Sequence, residues 1–223
     1  MMKKIVVFDM GMVLVDFAWR KMLRNLGYEE DQVAMLGQAV YQNKLWSQFD
    51  RGSMSDQEII SKMKEESPNC IEGIDKIMKT ENFGNAVVPY SYAEDLTRML
   101  HEEGYRVYIL SNFGRRLFDI VQERFTFLQY VDGVIISAKY QQMKPEESIY
   151  QTLFKTYSVD PQEAVFFDDV EANCQAARAL GMETVQVPHD HMFVGITDGL
   201  KQYLGLEVPE EMLKKYKDVP RHE

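Results

Sequence analysis

The sequence predicts an α/β protein, a doubly wound parallel sheet with an all-helical segment inserted after its first strand. Two observations carry that class. Short apolar runs recur without polar alternation at Ile5–Phe8, Val107–Leu110, Gly133–Ile136 and Val165–Phe167, with a further strand at Thr184–Val187, the pattern of a sheet whose central strands are covered on both faces. Beyond Val87 these runs alternate with segments of helical spacing, which implies parallel pairing through right-handed crossovers. The insertion follows from a third, the block of helical periodicity between the first run and the second.

Taken in order, Ile5 to Phe8 is a buried strand that delivers Asp9 to the sheet edge, where open α/β sheets place their ligands. Gly11 follows and permits a tight bend. From Phe17 to Leu26 the spacing turns helical and stops at Gly27, a natural helix terminator. Glu29–Gly37 and Ala39–Phe49 give two more helices, and Asp50–Ser55 is a turn. Ser55 is the N-cap of the next helix, with Glu58 completing a capping box. Helices over Asp56–Glu66 and Ile71–Asn82 flank a break at Ser67-Pro-Asn. Past Val87, helices over Tyr90–Glu103, Arg115–Phe125, Glu146–Tyr157 and Glu171–Leu180 separate the remaining strands. The resulting organisation is a core of residues 1–16 and 88–206, a helical cap of 17–87, and a charged tail of 207–223 with a short helix near Glu210–Tyr216. No internal period recurs, which excludes a repeat array.

Composition narrows the function classes. A net charge of −10 argues against a sequence-independent nucleic-acid binder, whose phosphate contacts need clustered Lys and Arg. No stretch is apolar long enough to span a bilayer, and the apolar run behind Met1-Met-Lys-Lys is too brief for a signal-peptide core. A cytoplasmic protein, monomer or homodimer, acting on a small molecule is the expectation. Cys70 and Cys174 lack metal-ligand spacing and read as reduced structural thiols. His189 and His191 flank Asp190; a metal site there is weighed against a solvated loop, and the loop is preferred.

The strand ends hold the chemistry. Asp9 ends the first, Ser111-Asn112 a later one, and Asp168-Asp169 another, while Lys144 is fixed beside Pro145. Each has a plain structural alternative: a turn for Ser111-Asn112, a solvated Lys144, an N-cap for the helix near Glu171. A second carboxylate at 168–169 is left over by that cap.

Asp9-Met-Gly-Met-Val-Leu, Ser111-Asn112, Lys144-Pro145 and Phe167-Asp-Asp169 resemble, in that order, the four motifs of the haloacid dehalogenase superfamily. The resemblance runs from Ile5 to about Val187, and residues from Phe17 to about Val88 resemble its helical cap. Gly two residues after the nucleophile is similar to a group of small phosphatases that includes sugar-1-phosphate phosphatases. The resemblance implies a Rossmann-like core and a Mg²⁺-dependent phosphatase acting on a small phosphorylated metabolite. Asp9 would attack phosphorus and form an aspartyl-phosphate. The Asp9 carboxylate, the Gly11 carbonyl, Asp168 and Asp169 would hold Mg²⁺, a hard cation suited to oxygen ligands. Ser111, Asn112 and Lys144 would bind the phosphate, with Lys144 also offsetting the carboxylates as a catalytic cation.

One departure matters. Many phosphatases of the superfamily carry a second Asp two residues after the nucleophile, as the acid that protonates the leaving group. Here Gly11 stands there. Without that acid, typically worth ~10²–10⁴ in rate, the expected substrate has a good leaving group, such as a sugar 1-phosphate or an acyl phosphate. Asp16, seven residues past Asp9 and near the cap hinge, is weighed as a proton donor through water against a hinge or capping role, and the latter is preferred. Specificity is expected from the cap, where Phe17, Trp19, Arg20, Trp46, Phe49, Asp50 and Arg51 offer aromatic and charged groups. Arg51 is the chosen substrate-binding residue. Dehalogenation at carbon, which has little use for the Asp168-Asp169 pair, and a catalytically weak binding or regulatory protein are the alternatives.

Overall fold

The computed structural model describes residues 4–219; Met1–Lys3 and the last four residues of the charged tail lie outside the described residues. Five strands form one parallel sheet: β1 (Ile5–Phe8), β4 (Arg106–Ser111), β5 (Gly133–Ile136), β6 (Ala164–Asp168) and β7 (Glu183–Gln186), in the order β5-β4-β1-β6-β7. Two more, β2 (Val15–Phe17) and β3 (Val87–Pro89), form a separate antiparallel pair. Six helices lie between β2 and β3: α1 (Trp19–Asn25), α2 (Glu30–Leu36), α3 (Trp46–Arg51), α4 (Asp56–Glu66), α5 (Ile71–Ile77) and α6 (Thr80–Phe83). The core carries α7 (Ala93–Glu102), α8 (Arg115–Val121), α9 (Ser137–Tyr140), α10 (Glu147–Tyr157), α11 (Glu171–Ala179), α12 (Met192–Leu204) and α13 (Glu210–Tyr216).

The central strands are apolar throughout because both faces are covered. Val6 and Phe8 of β1, with Ile109 of β4 and Phe167 of β6, pack on one face against Leu96, Phe118, Ile196 and Leu200. Ile5 and Val7, with Tyr108, Leu110 and Phe166, pack on the other against Ile149, Tyr150, Leu153 and Ala177. The first of these cores runs without a break into the helical insertion through Trp19, Leu23, Val40 and Phe49, so the insertion is docked on the sheet. β1 sits in the middle, with Phe8 in register with Ile109 on one side and Phe167 on the other. That register brings the ends of β1, β4 and β6 to one point, the site of ligands in open parallel sheets.

The strand pair β2-β3 is not evident from the local sequence. Each strand has three residues, and Val15 pairs with Pro89, a contact far along the chain. The pair joins the start of the helical insertion to its end. Ala39–Phe49 is not one helix either. The chain makes a wide, π-type turn over Gly37–Tyr41 and restarts at Trp46, where the Trp19 indole lies so close to Gly37 that a β-carbon there would sit 2.4 Å from the ring. The tail is anchored: Tyr216 is buried against Phe193 and Tyr92, and its hydroxyl donates to Asp95 at 2.5 Å. Among the described residues no helix is long and apolar enough to cross a membrane.

Candidate active site

The strand ends and one loop converge. Lys144 Nζ lies 2.9 Å from Asp9 Oδ1 and 2.6 Å from Asp168 Oδ2, with its side chain 1% exposed. Asp9, Asp168 and Asp169 each bring one oxygen within 4.8 Å of the others. The ends of β1 and β6 and the loop before α10 therefore gather three carboxylates and one ammonium from three separate stretches of the sequence.

The turn after β1 sets the Asp9 carboxylate. Met10 N donates to Asp9 Oδ1 at 2.6 Å, and the amides of Leu14 and Val15 both donate to Met10 O at 2.9 Å. The left-handed residue in this turn is Met12, with φ 59°, and not Gly11. The bend thus does not depend on glycine at 11. A β-carbon at Gly11 would meet nothing within 4 Å, so a side chain is missing where there is space for one.

Asp168 and Asp169 divide the work of their motif. Asp168 is fully buried and its oxygens accept from Val170 N at 2.8 Å, Asn173 Nδ2 at 3.0 and 3.1 Å, and Lys144 Nζ. With its lone pairs so engaged, Asp168 chiefly fixes Lys144. Asp169 has fewer partners and opens to the cavity, with His189 Nε2 3.9 Å from its Oδ2. Asn173, one turn into α11, escapes a sequence reading because a helical Asn gives no sign of its target.

Asn112 and Ser111 take different roles. The Asn112 side chain clasps the Lys144 backbone: Nδ2 donates to Lys144 O at 3.0 Å and Oδ1 accepts from Lys144 N at 2.8 Å. The amide read from sequence as a phosphate donor holds the lysine loop in place. Ser111, the last residue of β4, is buried and does not line the cavity.

Electrostatics make the cluster dependent on positive charge. Burial raises the Asp9 carboxyl, Lys144 pulls it back, and the charges of Asp168 and Asp169 push it up again, to about 7. Burial alone would lower Lys144, but Asp9 and Asp168 outweigh it and keep the ammonium charged. Asp169 is raised by burial and by Asp168. Like charges this close favour either a proton or a further cation, and three carboxylate oxygens are the hard donors that a small divalent cation takes. The donor set fits such an ion.

Above the carboxylates lies a cavity of about 210 Å³ lined by Asp9, Gly11 and Asp169 together with Phe17, Trp46, Val87, Phe113 and Leu117; Asp50 and Asn112 complete its polar lining. Arg51 does not line it. Its guanidinium is paired with Glu146 and reaches Gln141 O, so the expectation that Arg51 binds substrate is replaced by a link between α3 and the lysine loop. The physical reason is direction: one residue after Asp50, its side chain leaves the helix toward the core surface.

The profile of the haloacid dehalogenase-like hydrolases matches residues 6–187, more than half of the chain and every element of this site. The chain belongs to that family. A sesquiterpene phosphatase of Aspergillus oryzae is 26% identical over 80% of this chain and 87% of its own. A D-ribitol-5-phosphate phosphatase of Bacteroides thetaiotaomicron is 24% identical over 83% of this chain and 92% of its own. Among solved structures, a family enzyme of B. thetaiotaomicron in complex with magnesium and inorganic phosphate superposes with a TM-score of 0.63, at 22% identity over 84% of this chain and 95% of its own. At that identity the likeness is one of fold.

Proposed function

We propose that this hydrolase is a phosphatase that releases phosphate from a small phosphomonoester through an aspartyl-phosphate on Asp9. The observation that carries the reading is the buried contact of Asp9 with Lys144 beside Asp168 and Asp169. A nucleophile for phosphorus needs a charge-neutralising surround more than any covalent chemistry, whereas a nucleophile for carbon has no use for two further carboxylates. The two phosphatase relatives support the same choice.

Asp9, the Gly11 carbonyl and Asp169 would hold Mg²⁺, with Asp168 behind them fixing Lys144. Bound there, Mg²⁺ supplies charge neutralisation between the carboxylates and the phosphoryl oxygens. The remaining work falls to the chain itself. Met10 N orients Asp9 so that one oxygen stays on its hydrogen bond, and Lys144 holds the phosphoryl group as a point charge. Asn112 keeps Lys144 at the right height.

The cavity shifts the expected substrate. Arg51, the cap residue expected to meet a sugar ring, is engaged elsewhere, and Asn112 is engaged too. What faces the ester group is mostly apolar: Phe17, Trp46, Val87, Phe113 and Leu117. A polyhydroxylated ring would leave its hydroxyls unpaired there, at a cost of about 1–3 kcal/mol each. A phosphate ester of a compact apolar group suits these walls better.

The test is phosphate release from sugar 1-phosphates, sugar 6-phosphates, acetyl phosphate and short alkyl or prenyl phosphates, with Mg²⁺ and with EDTA, beside Asp9→Asn. Metal-dependent release that is lost in Asp9→Asn and fastest with apolar esters is the expected result. Release that persists in Asp9→Asn rules out the nucleophile, and a preference for sugars rules out the apolar substrate.

A further inference from the structure

Gly11 leaves the leaving-group oxygen without the usual proton donor, and the cavity itself offers another. We infer that Asp50, carried by cap helix α3, is the general acid of this phosphatase and serves in place of a side chain at position 11. The inference rests on the phosphatase reading and adds a catalytic residue to it.

Geometry is the first support. Asp50 lines the same cavity as Asp9 and Asp169, and among the cavity-lining residues it is the only carboxyl outside the three-carboxylate cluster. In-line attack by Asp9 expels the leaving oxygen away from the β1 end, toward the walls to which α3 contributes Trp46 and Asp50. Asn112, the other polar side chain there, is bound to Lys144.

Fixation is the second. A residue on a cap is useful for proton transfer only if it holds its place relative to the nucleophile. The Asp50 carboxyl accepts from Gly114 N, and its carbonyl accepts from Ser137 Oγ, which itself accepts from Phe113 N at 2.8 Å. One residue on, Arg51 is paired with Glu146. Two residues on, Gly52 takes φ 68° with its α-carbon so close to α9 that a β-carbon would lie 2.5 Å from Ala138 O. Contacts from three consecutive residues, Asp50 to Gly52, thus tie the end of α3 to the core.

Protonation is the third. Burial, and after it the charge of Asp9, pushes the Asp50 carboxyl up to about 8, against the Gly114 hydrogen bond. The cations around it are engaged elsewhere: Lys144 on Asp9 and Asp168, Arg51 on Glu146, and Arg116 near Asp56 and on Met78 O. Arg115 is largely exposed and faces Asp119. At neutral pH Asp50 therefore carries a proton to give. As the P–O bond breaks, that proton passes to the leaving oxygen and an alcohol departs, leaving Asp50 ionised. When water attacks the aspartyl-phosphate, Asp50 takes up the water's proton, phosphate leaves, and Asp9 and Asp50 return to their starting states. The overall balance is ester plus water to alcohol plus phosphate.

The experiment compares Asp50→Asn with the wild-type protein on n-pentyl phosphate, whose alkoxide needs a proton to leave, and on p-nitrophenyl phosphate, whose phenolate does not. Asparagine keeps the size and can still accept from Gly114 N. The expected result, read in kcat/KM because that ratio reports the phosphorylation of Asp9 and not the later hydrolysis common to both esters, is a ~10²–10⁴-fold fall for the alkyl ester and less than a ~10-fold change for the aryl ester. The descending limb near pH 8 in the wild-type alkyl profile also disappears. An equal fall in kcat/KM on both substrates would make Asp50 a structural anchor and overturn the inference. If the wild-type protein hydrolyses neither ester, the phosphatase reading itself fails; if it hydrolyses both and Asp50→Asn is unchanged on both, only the role of Asp50 fails.

Discussion

Asn112 separates two accounts of the site. As a phosphate ligand it would act on substrate alone; as found, it clasps Lys144 through hydrogen bonds of 3.0 and 2.8 Å. Asn112→Ala removes both and leaves the Lys144 N–H and C=O without their partner. At about 0.5–1.5 kcal/mol per bond the loss is about 1–3 kcal/mol. For a chain of this length each kcal/mol moves Tm by roughly 2–4 °C, so a fall of about 4–8 °C is the central expectation. Because the loop carries Lys144, kcat on p-nitrophenyl phosphate falls as well. Asn112→Asp is the sharper variant: it keeps the acceptor for Lys144 N but turns a carboxylate oxygen toward Lys144 O, so it should be less stable than Asn112→Ala. Thermal unfolding and steady-state kinetics on the same samples decide the matter. An unchanged Tm with a raised KM in both variants would refute the clasp and return Asn112 to the phosphate.

Three further outcomes follow from other parts of the molecule. Since a side chain at Gly11 meets nothing within 4 Å and its φ lies outside the left-handed range, Gly11→Asp is expected to fold normally and to restore alkyl phosphate hydrolysis at least ~10-fold when combined with Asp50→Asn; no recovery would show that position 11 does not reach the leaving oxygen. The Tyr41 hydroxyl is buried without a hydrogen-bond partner among the described residues, so Tyr41→Phe should leave stability unchanged or raise it by about 1 kcal/mol, as read from urea unfolding; a loss above about 1 kcal/mol would mean that the hydroxyl has a partner. Asp95 is held below the usual carboxylate range by the Tyr216 hydroxyl first, and then by Lys215 and Arg98. A lowered folded value gives stability that is present above the ordinary carboxylate pKa and is lost as pH falls through the folded one. Hydrogen exchange of α13 should therefore accelerate below about pH 4, an effect of about 1 kcal/mol at this partly exposed site, and Asp95→Asn should abolish that pH dependence.

The strands and the catalytic motifs were legible because both are written locally. A strand covered on two faces must be apolar at every position, so Ile5–Phe8 and the other central runs stand out, and a polar residue at their ends is conspicuous. Gly133–Ile136, Asp56–Glu66 and Glu210–Tyr216 also coincide with elements of the structure, Asp56–Glu66 through the capping box of Ser55 and Glu58. What escaped depends on partners far along the chain. β2 is three residues long and gains its register only from Val87–Pro89. Helix α12 packs Phe193, Ile196 and Leu200 beneath the sheet, but it follows a loop whose two histidines drew attention to themselves.

The cap residues show the limit most clearly. Asp50, Arg51 and Gly52 are adjacent and polar or small, and the sequence gives no ground for ranking them. A guanidinium suits a sugar ring, and that chemistry alone points to Arg51. In the fold each of the three points to a different part of the core: Asp50 to the cavity and Gly114, Arg51 to Glu146, Gly52 to Ala138. A helix turns about 100° per residue, so Asp50 and Arg51 leave α3 in different directions, while Gly52 ends it in the left-handed region. Once Arg51 is fixed on Glu146, and Gly52 against Ala138, Asp50 is the residue of the three that is left facing Asp9. The acid absent from the loop after β1 is thereby matched by one that only the docking of the cap brings into range.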